Sequence, residues 1–236
     1  MLRPMERRFD AMIFDMDGLM IDTERVYWAM NRELASRRGK TVSAETLRKM
    51  MGRGAMDSMR IYVTETGIPE DPAVLLAMRE TMVLERFREG VRPMPGLREI
   101  LDAFRGRLKL GIATSAPRKF VEVILPQLGI ETWFDVVQTG ETVGKGKPDP
   151  EIYLAAMSKL GVRSERCVVL EDSRLGAMAG KNAGAYLIAV PDDLMSGEDF
   201  SFADFRAGSL DEAREHVEGL LEGEVGMEGE AMKDER

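Results

Sequence analysis

Five short apolar runs, most of them separated by segments of helical period, constrain this chain more than any other feature. Ala11–Phe14, Leu108–Thr114, Phe134–Gln138, Cys167–Leu170 and Tyr186–Val190 have the length and unbroken hydrophobicity of strands covered on both faces. Gly96–Phe104, Arg118–Leu128, Pro150–Leu160 and Arg174–Ala183 repeat their apolar residues at helical spacing. Strand alternating with helix predicts an α/β fold, a doubly wound parallel sheet with helices on both faces. In such a sheet ligands bind beyond the carboxyl ends of the strands, so the residues where each apolar run stops are the ones to inspect for chemistry.

One stretch breaks the alternation. From Thr23 to Arg88 the pattern is helical throughout, with Val26, Tyr27, Met30 and Leu34 on one face and Leu75, Met78 and Met82 on another. Gly52, Gly54, Gly67 and Pro69 punctuate it, and Pro93, Pro95 and Gly96 mark the return. The expected organisation is an α/β core from residues 1–22 and 89–222, with an inserted all-helical cap at 23–88. A Gly- and Glu-rich tail at 223–236, with little to bury, is expected to be solvated and mobile.

Composition narrows the chemistry. The formal charge is −8, with no stripe of Lys and Arg, which argues against a nucleic-acid partner. An acidic protein that binds a phosphorylated compound needs a local positive field: a lysine, backbone amides or a cation. Cys167 is the only cysteine and His216 the only histidine. An internal disulfide, a thiolate zinc site and a multi-histidine centre are therefore excluded, and a metal must be held by oxygen, which favours Mg²⁺ or Mn²⁺. No apolar run reaches the roughly 18 residues of a membrane span. The basic start, Met1–Arg8, is not followed by the apolar stretch of a signal peptide. The expected setting is a reducing cytoplasm. Nothing in the sequence bears on oligomeric state.

The run ends carry the chemistry. They supply Asp15-Met16-Asp17-Gly18, then Thr114-Ser115, then Gly146-Lys147-Pro148-Asp149 ahead of a helix, then Glu171-Asp172-Ser173. Carboxylates, a hydroxyl and one lysine converging on one crevice are what phosphoryl transfer to a carboxylate requires. A carboxylate attacks phosphorus only if the repulsion between two anions is neutralised, and Mg²⁺ does this with six oxygens at about 2.0–2.1 Å. Lys147 adds a fixed charge. The Thr114 hydroxyl and backbone amides at Met16, Gly18 and Ser115 can hold the substrate's phosphate oxygens. Asp17 can protonate a leaving oxygen if the chain turns at Gly18. Singly each motif has an ordinary explanation as a turn or a helix cap; four in order at run ends do not.

Asp15-Met16-Asp17-Gly18-Leu19 through Asp22-Thr23-Glu24, with the later motifs in order, resembles the haloacid-dehalogenase-like phosphatases, in the subgroup of β-phosphoglucomutase and sugar-phosphate phosphatases. The resemblance spans residues 9–221. It implies Asp15 as nucleophile, Asp17 as general acid and base, and Thr114 and Lys147 as the second- and third-motif residues. It further implies a Mg²⁺ site made by Asp15, Asp17 through its backbone carbonyl, Asp172 and Glu171, and a helical cap closing over the substrate. The activity implied is Mg²⁺-dependent hydrolysis of a small phosphorylated metabolite. Arg53, after Gly52 in the cap, is a candidate substrate contact.

Alternatives divide on particular residues. Dehalogenases and phosphonate-cleaving relatives lack the second aspartate, and Asp17 is present. Relatives with mutase activity carry a histidine where this chain has Tyr27 and an arginine where it has Ala55, which favours hydrolysis over a mutase. Receiver-type signalling domains place their acidic pair at the first strand, whereas here the adjacent pair comes at the fourth. A silent phosphate-binding protein would keep the motifs without turnover. Lys145, Arg118 and Lys119 are expected to be solvated, His216 to lie on the surface and Cys167 in the core.

Overall fold

In the computed structural model, residues 9–191 and 197–231 are described, with side chains as far as Glu222; Met1–Arg8 and residues 232–236 lie outside them. Six strands form one parallel sheet. They are β1 (Ala11–Phe14), β2 (Lys109–Thr114), β3 (Val136–Thr139), β4 (Cys167–Glu171), β5 (Tyr186–Ala189) and β6 (Phe205–Arg206), in the order β3-β2-β1-β4-β5-β6. The order reverses between β1 and β4, so the switch point of the sheet, where ligands bind in such folds, lies beyond Phe14 and Glu171.

The strands pack a helical layer on each side because their alternate residues face opposite ways. Met12, Phe14, Leu110, Ile112, Val168 and Leu170 face one core, built with α5 (Leu97–Phe104), α6 (Arg118–Leu128) and α9 (Leu210–Ala231). Ala11, Ile13, Ala113, Cys167 and Val169 face the other, built with α7 (Glu151–Leu160) and α8 (Arg174–Asn182). Both faces being covered, the central strands read as continuous apolar runs.

Between β1 and β2 come α1 (Glu24–Ser36), α2 (Ala44–Met50), α3 (Ala55–Thr66) and α4 (Pro72–Glu89). They bury a cluster of their own, centred on Leu34, Leu47, Met59, Tyr62 and Leu75. Ser43 caps α2 through its hydroxyl, and Asp71 caps α4 ahead of Pro72. The two connecting segments run side by side: Asp22 N donates to Arg92 O and Met94 N to Met20 O. Across the cleft, Lys119 on α6 pairs with Glu80 on α4 at 2.5 Å.

Several expectations are corrected. The strand expected at Phe134–Gln138 starts at Val136, because Trp133 and Phe134 pack from the preceding loop onto the core. The two-residue β6 has no apolar run to announce it. Lys119 and Lys145 are exposed as expected, Lys119 pairing with Glu80 and Lys145 with Asp149 at 3.6 Å. His216 is half-buried, stacked 3.7 Å from the Phe205 ring and hydrogen-bonded to the Tyr186 hydroxyl. The face of α4 is turned one position from the expected stripe: Met78 is exposed, whereas Arg79 is buried with Leu75, Met82 and Val83. The helix α9 runs on to Ala231 through part of the expected tail.

Candidate active site

The ends of β1, β2 and β4 and the loop before α7 deliver their motifs to one place. Asp15 follows β1, and its amide N–H bonds to Leu170 O across the switch point. Gly18, at φ +83°, turns the chain back so that its N–H meets Ile21 O. A side chain at Gly18 would put its Cβ 2.1 Å from Asp172 Oδ2, so the turn also needs the space.

Lys147 Nζ donates to Asp15 Oδ1 at 2.5 Å and to Glu171 Oε1 at 2.5 Å, and reaches Ala113 O at 3.4 Å. Thr114 Oγ1 donates to Asp17 Oδ2 at 3.1 Å and accepts from Ala116 N at 3.0 Å. Glu171 has no solvent exposure. Its Oε1 also accepts from the Tyr153 hydroxyl at 2.8 Å, and its Oε2 accepts from Ser173 N and Oγ. The Ser173 hydroxyl in turn caps α8. Gly176, in the first turn of that helix, leaves room for the Glu171 carboxylate, since a Cβ there would lie 1.7 Å from Oε1.

Electrostatics follow from crowding. Burial, opposed by Lys147, pushes the Asp15 carboxyl up to about 8. Asp172 is held well above the usual carboxylate range by burial and by Glu171 and Asp15 beside it. Burial also raises Asp17, against the nearby hydroxyls of Thr23, Thr114 and Tyr27. Burial would depress Lys147, but Asp15 and Glu171 overcome this and hold it well above its ordinary value. Carboxylate oxygens of Asp15, Glu171 and Asp172 fall within 4.8 Å of one another. One ammonium serves three buried carboxylates, and Asp172 Oδ1 has no hydrogen-bond partner. An all-oxygen, net negative site of this kind fits a hard divalent cation such as Mg²⁺.

The site opens into a cavity of about 120 Å³, partly covered by the inserted helices. Asp15, Asp17, Ser115, Lys147, Asp172 and Ser173 form its floor, and Tyr27, Trp28, Asn31, Arg53, Ala55 and Arg79 are among its roof. Arg53 lines it with its Nε held by Lys49 O at 2.8 Å. Met16 and Gly18 are buried in the loop after β1, and Thr114 lies beneath Asp17. Sequence reasoning missed Tyr153, Trp28, Asn31 and Arg79. For Arg79 the signal was present, a charged residue four after Leu75 and three before Met82 on one helix face.

Known proteins place the chain. The profile of the haloacid dehalogenase-like hydrolases matches residues 12–190. A phosphorylated carbohydrates phosphatase of Thermotoga maritima is 36% identical over 176 residues, 74% of this chain and 82% of that protein. The fructose-1-phosphate phosphatase YqaB of Escherichia coli is 27% identical over 76% of this chain and 95% of its own. Among solved structures, CbbY from Rhodobacter sphaeroides in complex with phosphate superimposes with a TM-score of 0.78 at 27% identity, covering 86% of this chain and 95% of that one. The chain belongs to the haloacid dehalogenase-like hydrolase family.

Proposed function

We propose that the chain is a Mg²⁺-dependent phosphatase that hydrolyses a small phosphorylated metabolite, of the sugar-phosphate kind, through a phospho-Asp15 intermediate. One observation carries the reading: Asp15, Asp17, Lys147 and Asp172 face a single cavity, with Lys147 against Asp15 at 2.5 Å. The phosphatase relative at 36% identity supports the hydrolytic outcome, and Tyr27 and Ala55 in the cavity roof supply neither the histidine nor the arginine of the mutase resemblance.

In the first half-reaction Asp15 attacks phosphorus and Asp17 gives its proton to the departing alcohol oxygen. Burial favours that proton on Asp17. In the second half-reaction Asp17 takes a proton from water, which attacks the phosphorus of phospho-Asp15 and frees phosphate. Lys147 holds Asp15 in place and meets the charge on the transferred group, while Ser115 and the amide at Met16 hold its oxygens; the Gly18 N–H is taken by Ile21 O and the Thr114 hydroxyl by Asp17, so neither serves the phosphate as the sequence suggested. Asp15, Asp172 and the Asp17 carbonyl would hold Mg²⁺, with Glu171 beside them. Bound there, the cation supplies neutralisation between the carboxylate and the phosphate. Glu171 already accepts from Lys147, Tyr153 and Ser173, and its main work is to anchor the lysine. The inserted helices at 23–88 act as the cap, with Arg53 facing substrate. The setting is the cytoplasm.

Release of inorganic phosphate from phosphorylated sugars and p-nitrophenyl phosphate is the direct test. With Mg²⁺ turnover is expected, and chelation should lower it at least ~100-fold. Full activity in EDTA, or conversion of β-glucose 1-phosphate to glucose 6-phosphate without phosphate release, would count against this reading.

The crowded carboxylates also make a stability prediction. A folded-state value of about 8 against an ordinary 3.8 for Asp15 means that the fold favours the protonated form. The associated stability is present below about pH 4 and is lost as pH rises towards 8. A cation in the site offsets that loss, so Mg²⁺ should raise the melting temperature more at about pH 8 than at about pH 5.5. Equal increments at both would contradict the assignment.

A further inference from the structure

Nine buried side-chain polar atoms lack a hydrogen-bond partner among the described residues, and five of them belong to residues lining the active-site cavity. Asp17 Oδ1 and Asp172 Oδ1 lie on its floor. The other three, Trp28 Nε1, Asn31 Oδ1 and Arg79 Nε, come from α1 and α4 in its roof. Buried polar atoms without partners are uncommon in folded proteins, and a cluster of them in one cavity points to a ligand that completes them.

Arg79 is the most demanding of the three. It is 6% exposed, and burial pulls its guanidinium below the ordinary value. Its planar face lies over the Tyr27 ring, 5.6 Å from the centroid, and that tyrosine's hydroxyl bears on Asp17. Arg79 therefore stands one ring beyond the general acid. The acidic groups that act on it most are Tyr27, Glu80, Glu24 and Tyr62, all from the inserted helices, and Glu24 also lines the cavity. Glu80 is itself held by Lys119. The transferred phosphate meets Lys147; the group that meets Arg79 belongs to the alcohol being released.

Resting on the phosphatase reading above, we propose that Arg79 is the specificity-determining residue of the cap. It selects phosphate esters whose released alcohol carries a second oxyanion, either a carboxylate or another phosphoryl group. A guanidinium offers a fork of N–H donors to such an anion. Trp28 Nε1–H adds one more donor, and Asn31 Oδ1 accepts from a hydroxyl of the same alcohol. A neutral alcohol would leave the Arg79 Nε–H without an anionic acceptor in the cavity.

The experiment compares kcat/KM with Mg²⁺ for two matched pairs. These are 3-phosphoglycerate against glycerol 3-phosphate, and fructose 1,6-bisphosphate against fructose 1-phosphate. Wild-type protein should prefer the anionic member of at least one pair by about 100-fold, and the pair that responds identifies carboxylate or phosphoryl as the source. In Arg79→Met that preference should collapse, mainly through KM, and Arg79→Lys should restore part of it. The melting temperature of Arg79→Met should hold or rise, because a buried cation has been removed. Preference for the neutral member in both pairs, or an equal loss on all four substrates in Arg79→Met, would overturn the proposal while leaving the phosphatase reading intact. Absence of turnover of these four and of p-nitrophenyl phosphate would overturn both.

Discussion

Replacing Asp15 by Asn is expected to lower kcat by at least ~10⁴-fold while the melting temperature holds or rises. The amide keeps the shape but has no anionic oxygen with which to attack phosphorus. Asp15 and Asp172 are both held above the usual carboxylate range, Asp15 by burial and the charges of Glu171 and Asp17, Asp172 by burial and the charges of Glu171 and Asp15. Removing one negative charge relieves that repulsion, and Lys147 keeps Glu171 as a partner. Loss of function with gain of stability at one residue is the signature of a group kept for chemistry. Circular dichroism with a thermal melt, run beside phosphate release, checks both halves; a destabilised variant with only a mild loss of rate would contradict the assignment.

Lys147→Met should have the larger effect on the fold. Among the described residues Lys147 is the one ammonium beside these buried carboxylates, bonded to Asp15 and Glu171 and lying 5.1 Å from the centroid of the Tyr153 ring. Breaking a buried pair by removing one partner typically costs about 3–5 kcal/mol, because the other charge is left uncompensated. For a chain of this size that lowers the melting temperature by roughly 10 °C. The sign with pH follows from the carboxylates. Protonation neutralises them, so the penalty should shrink as pH falls and grow towards pH 8. A thermal melt of the variant at several pH values reads this directly, and an unchanged melting temperature near neutrality would show that the lysine does not carry the site.

Much of the molecule was legible because the chemistry sits where the hydrophobic pattern stops. The strands β1, β4 and β5 are buried on both sides, and their apolar runs match the observed bounds within one residue. The ends of β1 and β4 could then be read as candidate site positions, which points to Asp15 and Asp172, whereas Lys147 is marked by the Gly-Lys-Pro-Asp run ahead of α7. Packing decided what the pattern could not. Trp133 and Phe134 are apolar but belong to a loop, with Trp133 under the guanidinium groups of Arg98 and Arg105. His216 looks like one polar residue among many on α9, yet the aromatic rings beside β5 and β6 enclose it. The roof was harder still. Hydropathy assigns Met78 to the buried face; the fold exposes it and turns Arg79 towards the cavity instead.

The central claim is a covalent bond between Asp15 and phosphorus. Rapid quenching of Asp17→Asn during turnover of p-nitrophenyl phosphate, followed by borohydride reduction and peptide mass spectrometry, tests it. Reduction converts a phosphorylated aspartate to homoserine, and the account predicts that conversion at position 15 alone, and only when substrate is present. Sustained p-nitrophenol release with Asp15 recovered unmodified at every time point would contradict it.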